Sequence, residues 1–547
     1  MAIASATTYG RWGTPPQPVE LSAAAEEFLT GTLGDPAPRP PHPAADLTVP
    51  ATRLSAEPIG RLSAIVGDAA VSTSAGDRLG HSVGCSLTDY LHLRAADLDP
   101  RAIPDAVVRP SSHDQVRELL SLCANEGIAV VPYGGGTSVV GGVTVAGDQP
   151  RVAMAFDQMA DVVSIDEDSM TATVQPGITG PVLERILQTR GLTLGHLPQS
   201  WERATIGGYA ATRSAGQAST GYGRSDEMVE SLRVATPMGD LTLGRGPRSA
   251  AGPDLRQLFI GSEGAFGVIT EITLRIRHLP TVTRYEGLMF PSYEAGVAAF
   301  RDLAQHRVTA DVMRLSDTPE TTATLAMSGP KGRTGDLFER YLNLRNVEGG
   351  CMAILGWEGY SRRFLAARRS AAWAVMKDHK PATLGAGVGG SWRKHRYDGP
   401  YLRDVLLDRG YIVETLETAS HWSDLHRVRD DVATALKAAL HHEGRDPYVM
   451  SHISHVYETG GSLYFTVIVP AQDDPVAQWA TAKAAAMDAI AAGGATITHH
   501  HAVGRDHAPW LEAEIGLEGL RLLRGIKSLV DPQGVLNPGA LVPVSER

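Results

Sequence analysis

The chain has 547 residues, 43% of them hydrophobic and 20% charged, which is long enough for two or three globular domains. Its formal net charge of −11 argues against a general nucleic-acid-binding protein, which would present a basic face. Three widely spaced cysteines provide neither a disulfide framework nor a zinc-binding CxxC pair. The sequence shows no signal peptide and no apolar run of the ~18 residues needed to span a bilayer, so we expect a cytoplasmic protein.

The first regular elements precede a glycine-rich segment. An amphipathic stretch at 20–33 is followed by the proline-rich segment Asp35–Pro43, which predicts an extended connector. Ser112-x-x-Gln115 is typical of a capping box, and the apolar residues after it recur at helical spacing. A short apolar strand, Ile128–Val131, then leads directly into the glycines.

Later segments alternate between helical and strand patterns. Pro181 predicts the start of a helix, and Ile272–Ile276 alternates apolar and polar residues as on a half-buried strand. The C-terminal half combines long helical stretches with a strand at Leu463–Val469. This mixture predicts an α+β fold.

The glycine-rich segment is Pro132-Tyr-Gly-Gly-Gly-Thr-Ser138. Three successive glycines after a strand allow a tight turn that presents consecutive N–H groups to an anion. Considered alone, the loop is equally consistent with an ordinary glycine-rich turn. Neither GxGxxG nor GxxxxGK[ST] occurs, so the sequence supports neither a Rossmann site nor a Walker loop.

Three further segments, at 199–205, 206–216 and 261–270, pair small residues with hydroxyls, as a backbone in close contact with a large ligand requires. Any one of them could be a structural turn, but four in this order indicate a cofactor site. The candidate cofactor-binding residues are Pro132, Tyr133, Gly134, Gly135, Gly136, Thr137, Ser138, Gln199, Ser200, Ala204, Thr205, Gly208, Thr212, Arg213, Ser214, Ala215, Glu263, Gly264, Gly267, Val268 and Ile269.

The order of these motifs resembles the FAD domain of the vanillyl-alcohol oxidase/p-cresol methylhydroxylase flavoprotein family. Within that family the chain is most similar to the alkyldihydroxyacetonephosphate synthase branch, from Tyr9-Gly-Arg-Trp12 to Asp531-Pro-x-Gly-x-Leu-Asn-Pro-Gly-x-Leu541. The resemblance implies noncovalent FAD in a two-subdomain PCMH-type domain, with an α+β cap domain built on an antiparallel sheet. It divides the chain into an N-terminal helical arm and linker (1–103), an FAD-binding domain (104–280), a cap domain (281–493) and a C-terminal segment that returns to the flavin (494–547).

Motifs in the C-terminal half carry the resemblance to the synthase branch: Tyr401-Leu-Arg403-Asp, the segment 451–465, and Thr498-His-His-His-Ala-Val-Gly504. The resemblance implies that the substrate-binding residues are Arg403, Arg314 and His196, and that the catalytic residues are Tyr457, His499, His500 and His501. Without the resemblance, the simplest explanation of Arg314 or Arg403 is a structural ion pair, and that of Tyr457 is a position in the hydrophobic core.

Adjacent histidines also raise the alternative of a metal site. Related FAD-dependent 2-hydroxy-acid dehydrogenases have Gly-Glu-His-Gly where this chain has His499-His500-His501-Ala502. The carboxylate and the terminal histidine of their metal ligand set are both missing. We therefore predict no built metal site.

The resemblance implies an FAD-dependent transferase of the alkylglycerone-phosphate synthase type, acting in ether lipid biosynthesis. It would exchange the acyl chain of acyl-dihydroxyacetone phosphate for a long-chain alcohol without net redox change. Arginine suits a phosphorylated substrate, and a tyrosine can relay a proton if its neighbours lower its pKa from ~10. We expect a homodimer whose partners are small-molecule lipid substrates and not nucleic acid, with peripheral membrane contact left open.

Two alternatives remain. One is an ordinary FAD-dependent oxidase or dehydrogenase of a hydroxy acid or alcohol on the same fold, whose flavin a single substrate would bleach. The other, from a different class, is a flavin-binding protein without catalysis, such as a redox sensor.

Overall fold

Three larger β-sheets organise the part of the chain that the structure, a computed structural model, describes: residues 9–13 and 19–543. The first sheet has the order β1-β2-β4-β3, with β1 at Val71–Ser72, β2 at Ala106–Val108, β3 at Ala129–Tyr133 and β4 at Arg151–Ala155. Strands β2, β4 and β3 are parallel, so the chain must cross over between them. The helix His113–Glu126 makes the crossover from β2 to β3.

The start of that helix forms half of the expected capping box. Ser112 Oγ accepts the N–H of Gln115 at 3.3 Å, whereas the Gln115 side chain accepts from the N–H of Ser111 instead of that of Ser112. Gly127, at φ 65°, ends the helix. The predicted strand at 128–131 is confirmed as β3, which delivers the chain into the glycine loop.

The second sheet is antiparallel, with the order β5-β6-β10-β8-β9. The strands of this region are β5 (Val162–Asp166), β6 (Thr171–Val174), β7 (Leu192–Thr193), β8 (Val229–Thr236), β9 (Gly239–Leu243), β10 (Val268–Arg275) and β11 (Arg277–His278), of which β7 and β11 pair separately. β10 contains most of the predicted half-buried strand, and the helix predicted from Pro181 spans Gly180–Gln188.

The third sheet has seven antiparallel strands in the order β15-β12-β14-β13-β17-β18-β16. Its strands are β12 (Val282–Phe290), β13 (Val312–Ser316), β14 (Cys351–Gly359), β15 (Ala382–Gly385), β16 (Tyr411–His421), β17 (Tyr448–Val456) and β18 (Gly460–Pro470). This sheet confirms the α+β prediction and contains the predicted strand at Leu463–Val469. Its central strands face the glycine loop across a cavity.

Helices cover the sheets. In the first half of the chain the other α-helices are Ala23–Leu33, Ala56–Val66, Ala75–Gly80, Leu87–Ala95, Ile206–Thr212, Ser219–Tyr222, Ser225–Met228 and Arg256–Phe259. In the second half they are Tyr293–Gln305, Thr318–Ser328, Gly332–Leu344, Arg362–Met376, Ala386–His395, Gly399–Asp408, Leu425–Leu440, Pro475–Ala492 and Leu511–Val530. Short 3₁₀ helices span Ala44–Asp46, Asp68–Ala70, Pro100–Ala102, Lys377–His379 and Ala508–Trp510. Within the described residues, none of the helices has both the length and the apolar character needed to cross a membrane.

Both ends of the chain pack back onto the body of the molecule. Leu29 and Leu33 of the N-terminal helix are buried against Leu406 and Met450, and the proline-rich connector after it has no regular secondary structure. At the other end, the N–H of Val130 in β3 donates to Val535 at 2.8 Å. The last segment therefore lies along the first sheet, directly beneath the glycine loop.

Candidate functional site

One cavity of about 480 Å³ lies between the glycine loop and the seven-stranded sheet. The loop after β3 and the segments near 200–216 and 263–269 form one wall. Strands β13, β16, β17 and β18 and the triple-histidine segment form the opposite wall. The motifs singled out from two distant parts of the sequence therefore meet across one space, called the flavin cavity below.

The glycine loop has no room for side chains. A methyl group on Gly135 would clash with the carbonyl of Arg203, and one on Gly136, at φ 63°, would clash with the ring of Tyr133. The backbone N–H groups of residues 134–138 donate no hydrogen bond to any residue that the structure describes. A row of unpaired N–H groups at a cavity wall suits the pyrophosphate of a dinucleotide.

Glu263 links its own segment, at 261–270, to the C-terminal segment. Its Oε2 accepts the N–H of Gly504 at 2.7 Å, and its own carbonyl accepts from the Asn537 amide at 2.7 Å. Its Oε1 is buried without a hydrogen-bond partner among the described residues, and burial raises the pKa of this carboxyl group to about 7. An unpaired acceptor at this wall is ready for a hydroxyl of a bound ligand.

Most candidate cofactor residues line this cavity, with two corrections. Tyr133 turns away from it, and its hydroxyl donates to the carbonyls of Gly80 and Val83, because the strand alternation puts its ring behind the loop. Arg213 points into a second cavity, where it pairs with Asp226 at 3.0 Å. The candidates on the flavin cavity are Pro132, Gly134, Gly135, Gly136, Thr137, Ser138, Gln199, Ser200, Ala204, Thr205, Gly208, Thr212, Ser214, Ala215, Glu263, Gly264, Gly267, Val268 and Ile269.

Arg314 lines the cavity from β13 and is held by two groups that the sequence did not single out. One Nη atom donates to Glu320 at 2.7 Å, and the other lies 2.9 Å from Nε2 of His452. Burial opposes ionisation of Glu320, but the charge of Arg314 and the hydrogen bond with His452 lower its pKa to about 2, so Glu320 is ionised. The guanidinium therefore has a fixed orientation in the cavity wall.

Arg403 lies on the helix Gly399–Asp408 at the other side of the cavity. Its guanidinium stacks over the ring of Tyr90 at 4.2 Å and donates to the carbonyl of Cys85 at 3.1 Å. Glu414 of β16 lies 3.7 Å away, too far for a close hydrogen bond. Nε of Arg403 has no partner among the described residues, so this buried cation retains a donor for a ligand.

His196, predicted to bind substrate, does not line the cavity. It is buried behind the wall, where Nε2 lies 3.1 Å from Oγ of Ser214 and the ring packs against Tyr209. Burial lowers its pKa to about 3, so it is a neutral support for Ser214, which does line the cavity.

The catalytic candidates are divided between two cavities. His500 and His501 line the flavin cavity, while Tyr457, His499 and another edge of His500 line a second cavity of about 740 Å³. Apolar side chains, among them Leu258, Ile260, Phe266, Leu511, Ile515 and Leu523, form much of the wall of this second cavity. The structure therefore brings all four residues together, but it places only two of them directly on the flavin cavity.

The sequence missed several residues on or next to the flavin cavity. His452 and His455 lie in the segment 451–465, yet only Tyr457 was singled out there. Glu414 lines the cavity and Glu417 lies next to the triple-histidine segment, both on β16, in a strand without a recognisable motif. Two carboxylates, Glu414 and Glu417, in the largely buried strand Tyr411–His421 were the available signal.

His455, His499 and His500 form a group whose ring nitrogens all lie within 4.8 Å of one another, as a metal site would require. These nitrogens already have partners inside the protein. Those of His455 contact Ser454 and the carbonyl of Gly216, and those of His499 contact Tyr457 and His500. A metal ion would have to break this network, so the absence of a built metal site stays a prediction.

Comparison with known proteins agrees with this geometry. The family described as "FAD binding domain" matches residues 104–243, and "FAD linked oxidases, C-terminal domain" matches residues 279–541. Alkyldihydroxyacetonephosphate synthase of Dictyostelium discoideum is 32% identical over 478 residues, which cover 85% of this chain and 77% of that protein. The chain is an alkyldihydroxyacetonephosphate synthase-like member of the vanillyl-alcohol oxidase/p-cresol methylhydroxylase family.

Solved structures of this family superpose on the chain. A structure of an alkyldihydroxyacetonephosphate synthase matches with a TM-score of 0.81 and 28% identity, covering 94% of this chain and 92% of that one. p-Cresol methylhydroxylase matches with a TM-score of 0.67 at 16% identity, covering 91% and 99%, and shares the fold. As a member of this family, the protein is an FAD-dependent enzyme with a PCMH-type fold, and the glycine loop with Glu263 is suited to holding FAD.

Proposed function

We propose that the protein exchanges the acyl chain of acyl-dihydroxyacetone phosphate for a long-chain alcohol and so forms an alkyl ether without net redox change. The observation that carries the proposal is the pair of oriented arginines, Arg314 and Arg403, on the same cavity as the glycine loop and His500. An oxidase of a neutral alcohol has no need of two half-buried cations on its cavity wall. A ketone phosphate does, because each arginine offers paired donors to phosphate or carbonyl oxygens.

Each side chain has a role under this proposal. Arg403, with its free Nε, binds the phosphate, and Arg314 polarises the ketone oxygen or shares the phosphate. His500 and His501 polarise the reacting carbon and move protons, while Val312, Met313 and Val413 supply an apolar surface for an alkyl chain. Bound FAD supplies an electrophilic centre, so that one difficult substitution is divided into two easier covalent steps. We propose that it is held noncovalently.

Under this proposal Tyr457 does not contact the substrate but acts through His499. Its hydroxyl lies 2.6 Å from Nε2 of His499 and not on the flavin cavity. Burial raises its pKa to about 12 despite the nearby Arg224, so it is a protonated hydroxyl and not a phenolate base. Tyr457 therefore passes a proton through the histidines, and His196 supports Ser214 without touching substrate.

The deciding experiment mixes FAD-loaded enzyme with palmitoyl-dihydroxyacetone phosphate and hexadecanol without oxygen. Mass spectrometry follows the products while absorbance follows the flavin. We expect alkyl-dihydroxyacetone phosphate and free palmitate, with the flavin oxidised at the end. Absence of the ether product with every chain length tried would refute the proposed reaction.

The second candidate is an FAD-dependent oxidase or dehydrogenase of a hydroxy acid or alcohol. It is favoured by the match of residues 279–541 to FAD-linked oxidases. In this case a single hydroxylated substrate would bleach the flavin, and no ether would form. Screening hydroxy acids and alcohols for anaerobic bleaching separates the two reactions.

We retain three coarser proposals about organisation. The domain boundaries are 104–280 for the FAD-binding domain, 281–493 for the cap and 494–547 for the returning segment. A homodimer is tested by light scattering of the purified enzyme. Peripheral membrane contact is tested by co-sedimentation with vesicles that contain the lipid substrate.

A further inference from the structure

An unbroken line of polar atoms joins the two cavities. Oη of Tyr457 lies 2.6 Å from Nε2 of His499, and Nδ1 of His499 lies 3.0 Å from Nδ1 of His500. His500 borders both the flavin cavity and the second cavity, whereas Tyr457 and His499 border only the second. Tyr457 lines the second cavity and is 36% exposed, so this end of the line is the more open to solvent.

Glu417 organises the inner end of this line. Its side chain is fully buried, and its carboxylate accepts the hydroxyl of Thr498 at 2.7 Å. The same carboxylate accepts the successive backbone N–H groups of His499, His500 and His501 at 2.7, 3.0 and 2.9 Å. A carboxylate that accepts consecutive N–H groups fixes the backbone of the histidine segment, as an anion does in a nest.

The same carboxylate also acts on a ring. Oε2 of Glu417 lies 3.4 Å from Nδ1 of His500. A negative charge beside Nδ1 favours the tautomer with the proton on Nδ1 and leaves the lone pair of Nε2 free to accept a proton. It also stabilises the imidazolium that forms when Nε2 accepts one. An aspartate orients the histidine of a serine protease by the same logic.

We propose that His500, His499 and Tyr457 form a proton path from the flavin cavity to the second cavity, with Glu417 as its positioning residue. The inference rests on the proposed function for the source of the proton, a C–H bond next to the ketone. When that bond breaks, its electron pair stays with the substrate, and the proton forms an N–H bond at Nε2 of His500. The Nδ1 proton of His500 then moves to Nδ1 of His499, and the Nε2 proton of His499 moves to Tyr457.

Tyr457 in turn releases its own proton to water in the second cavity, so no charge remains on the path. The path runs backwards when the product carbon is protonated again. Burial lowers the pKa of His499 well below its usual value and raises that of Tyr457 to about 12, so both resting groups are neutral, as a relay requires. Burial opposes ionisation of Glu417, but its hydrogen bond to His500 and the nearby histidines hold its pKa well below the usual range.

The first test reads the tautomer directly and needs no substrate. In FAD-loaded enzyme labelled with ¹⁵N-histidine, the His500 signals are assigned by their loss in His500→Gln. We expect His500 to be protonated on Nδ1 and unprotonated on Nε2. In Glu417→Gln we expect a larger fraction of His500 to be protonated on Nε2. A wild-type His500 protonated on Nε2 alone would overturn the proposal, whatever reaction the enzyme catalyses.

The second test measures how fast the C1 hydrogen of palmitoyl-dihydroxyacetone phosphate exchanges with deuterated water, across pH. Glu417→Gln should slow exchange by about 10–100-fold and shift the pH profile, and Glu417→Asp should recover part of the rate because it retains the charge. The titratable groups around His500 that shape the profile are Glu417, His196, His452, His455, His499, His501 and Tyr464, whose ring stacks on that of His500.

Glu514→Gln is the matched control. Glu514 also accepts a threonine hydroxyl and a backbone N–H of the same segment, from Thr496 and Ile497, but it is exposed and has no contact with the histidine rings. The Glu514→Gln enzyme should exchange the C1 hydrogen of the substrate at a rate within about twofold of wild type. If Glu417→Gln and Glu514→Gln reduce the rate of C1 hydrogen exchange equally and leave its pH profile unchanged, Glu417 has only a structural role and the proton path is refuted. Wild-type enzyme that neither exchanges nor forms ether would instead refute the proposed function, and the tautomer measurement would still decide the path.

Discussion

The carboxylate of Glu320 lies 2.7 Å from the guanidinium of Arg314, and the same oxygen lies 3.1 Å from Nδ1 of His452. Because Arg314 also contacts the other ring nitrogen of His452, the three side chains form a closed triangle at the cavity wall. The Arg314–Glu320 side is an ion pair and the His452–Glu320 side is a hydrogen bond, and the group borders the cavity through Arg314 and His452. One buried carboxylate therefore sets the direction of the cation that the substrate meets.

The first prediction concerns this triangle. Glu320→Gln should raise the KM for acyl-dihydroxyacetone phosphate by about 10-fold or more, because Arg314 loses the charge that orients it and only a neutral hydrogen bond remains. The flavin content should stay the same, since Glu320 does not border the cavity. Steady-state kinetics with a flavin absorbance spectrum of each preparation provide the measurement.

Glu286→Gln is the control for that variant. Glu286 is also buried and pairs with Arg369 at 2.8 Å, but neither residue borders the flavin cavity. Both variants should lose stability, and only Glu320→Gln should lose substrate affinity. An equal rise of KM in the two variants would contradict the orienting role.

The second prediction is a dependence of stability on pH. The pKa of Glu320 is lowered from 4.5 to about 2 in the folded protein. Its ionised form therefore adds its full contribution to the free energy of unfolding above about pH 5, and this contribution is lost as pH falls from there toward 2. A shift of this size corresponds to about 3 kcal/mol. Urea unfolding at several pH values should show the largest gap between wild type and Glu320→Gln above about pH 5, narrowing as the solution is acidified. If the stability difference between wild type and Glu320→Gln grew as the pH fell, the predicted direction of the pH dependence would be wrong.

The third prediction concerns the outer end of the histidine line. Tyr457→Phe keeps the ring but removes the hydroxyl that lies 2.6 Å from His499. Turnover should fall about 100-fold, the usual contribution of a group that transfers protons. Tyr360→Phe, at an exposed tyrosine outside both cavities, should be unaffected. Retention of more than about a tenth of wild-type turnover in Tyr457→Phe would rule out the relay role.

The fourth prediction concerns the glycine loop. Gly136→Ala places a methyl group against Tyr133 at a backbone φ of 63°, so it should abolish or greatly weaken FAD binding. Gly246→Ala is matched to it, because no atom lies within 4 Å of the added methyl group and φ is ordinary. The ratio of flavin to protein absorbance after purification and reloading gives the result. A fully loaded Gly136→Ala protein would show that the loop does not bind the cofactor tightly.

The fifth prediction is that activity needs no metal. Because the nitrogens of His455 and His499 already have protein partners, dialysis against a chelator should leave turnover unchanged. Elemental analysis of the active enzyme should find less than one equivalent of any transition metal. Loss of activity on chelation that zinc restores would assign the three-histidine group to a metal after all.

Local patterns predicted local structure well. The strand before the glycine loop, the crossover helix after Ser112 and the strand at β18 depend on neighbouring residues, and each lies close to its predicted position. The direction of a side chain relative to a cavity depends on tertiary packing, and there the sequence was less informative. Tyr133 and Arg213 belong to the right motifs but face away from the flavin cavity.

Side-chain partners from distant segments of the chain could not be predicted. Glu417 reaches the histidine segment across 82 residues of sequence, and no motif connects the two positions. The same holds for Glu320 and His452, which are 132 residues apart. Buried carboxylates that hold functional side chains become visible only when folding brings distant segments together, because their partners are donors that are neighbours in three dimensions and not in sequence.

The attachment of the last segment to β3 has a consequence for the order of events in the cell. The amide of Asn537 donates to the carbonyl of Gly142, and 395 residues separate them. At roughly 5–20 residues per second, a ribosome needs about 20–80 s to add that stretch. During that interval the nascent chain contains the glycine loop but lacks the C-terminal segment that contacts β3 in the complete fold. The complete wall of the cavity around this loop can therefore form only after the last residues of the chain have been made.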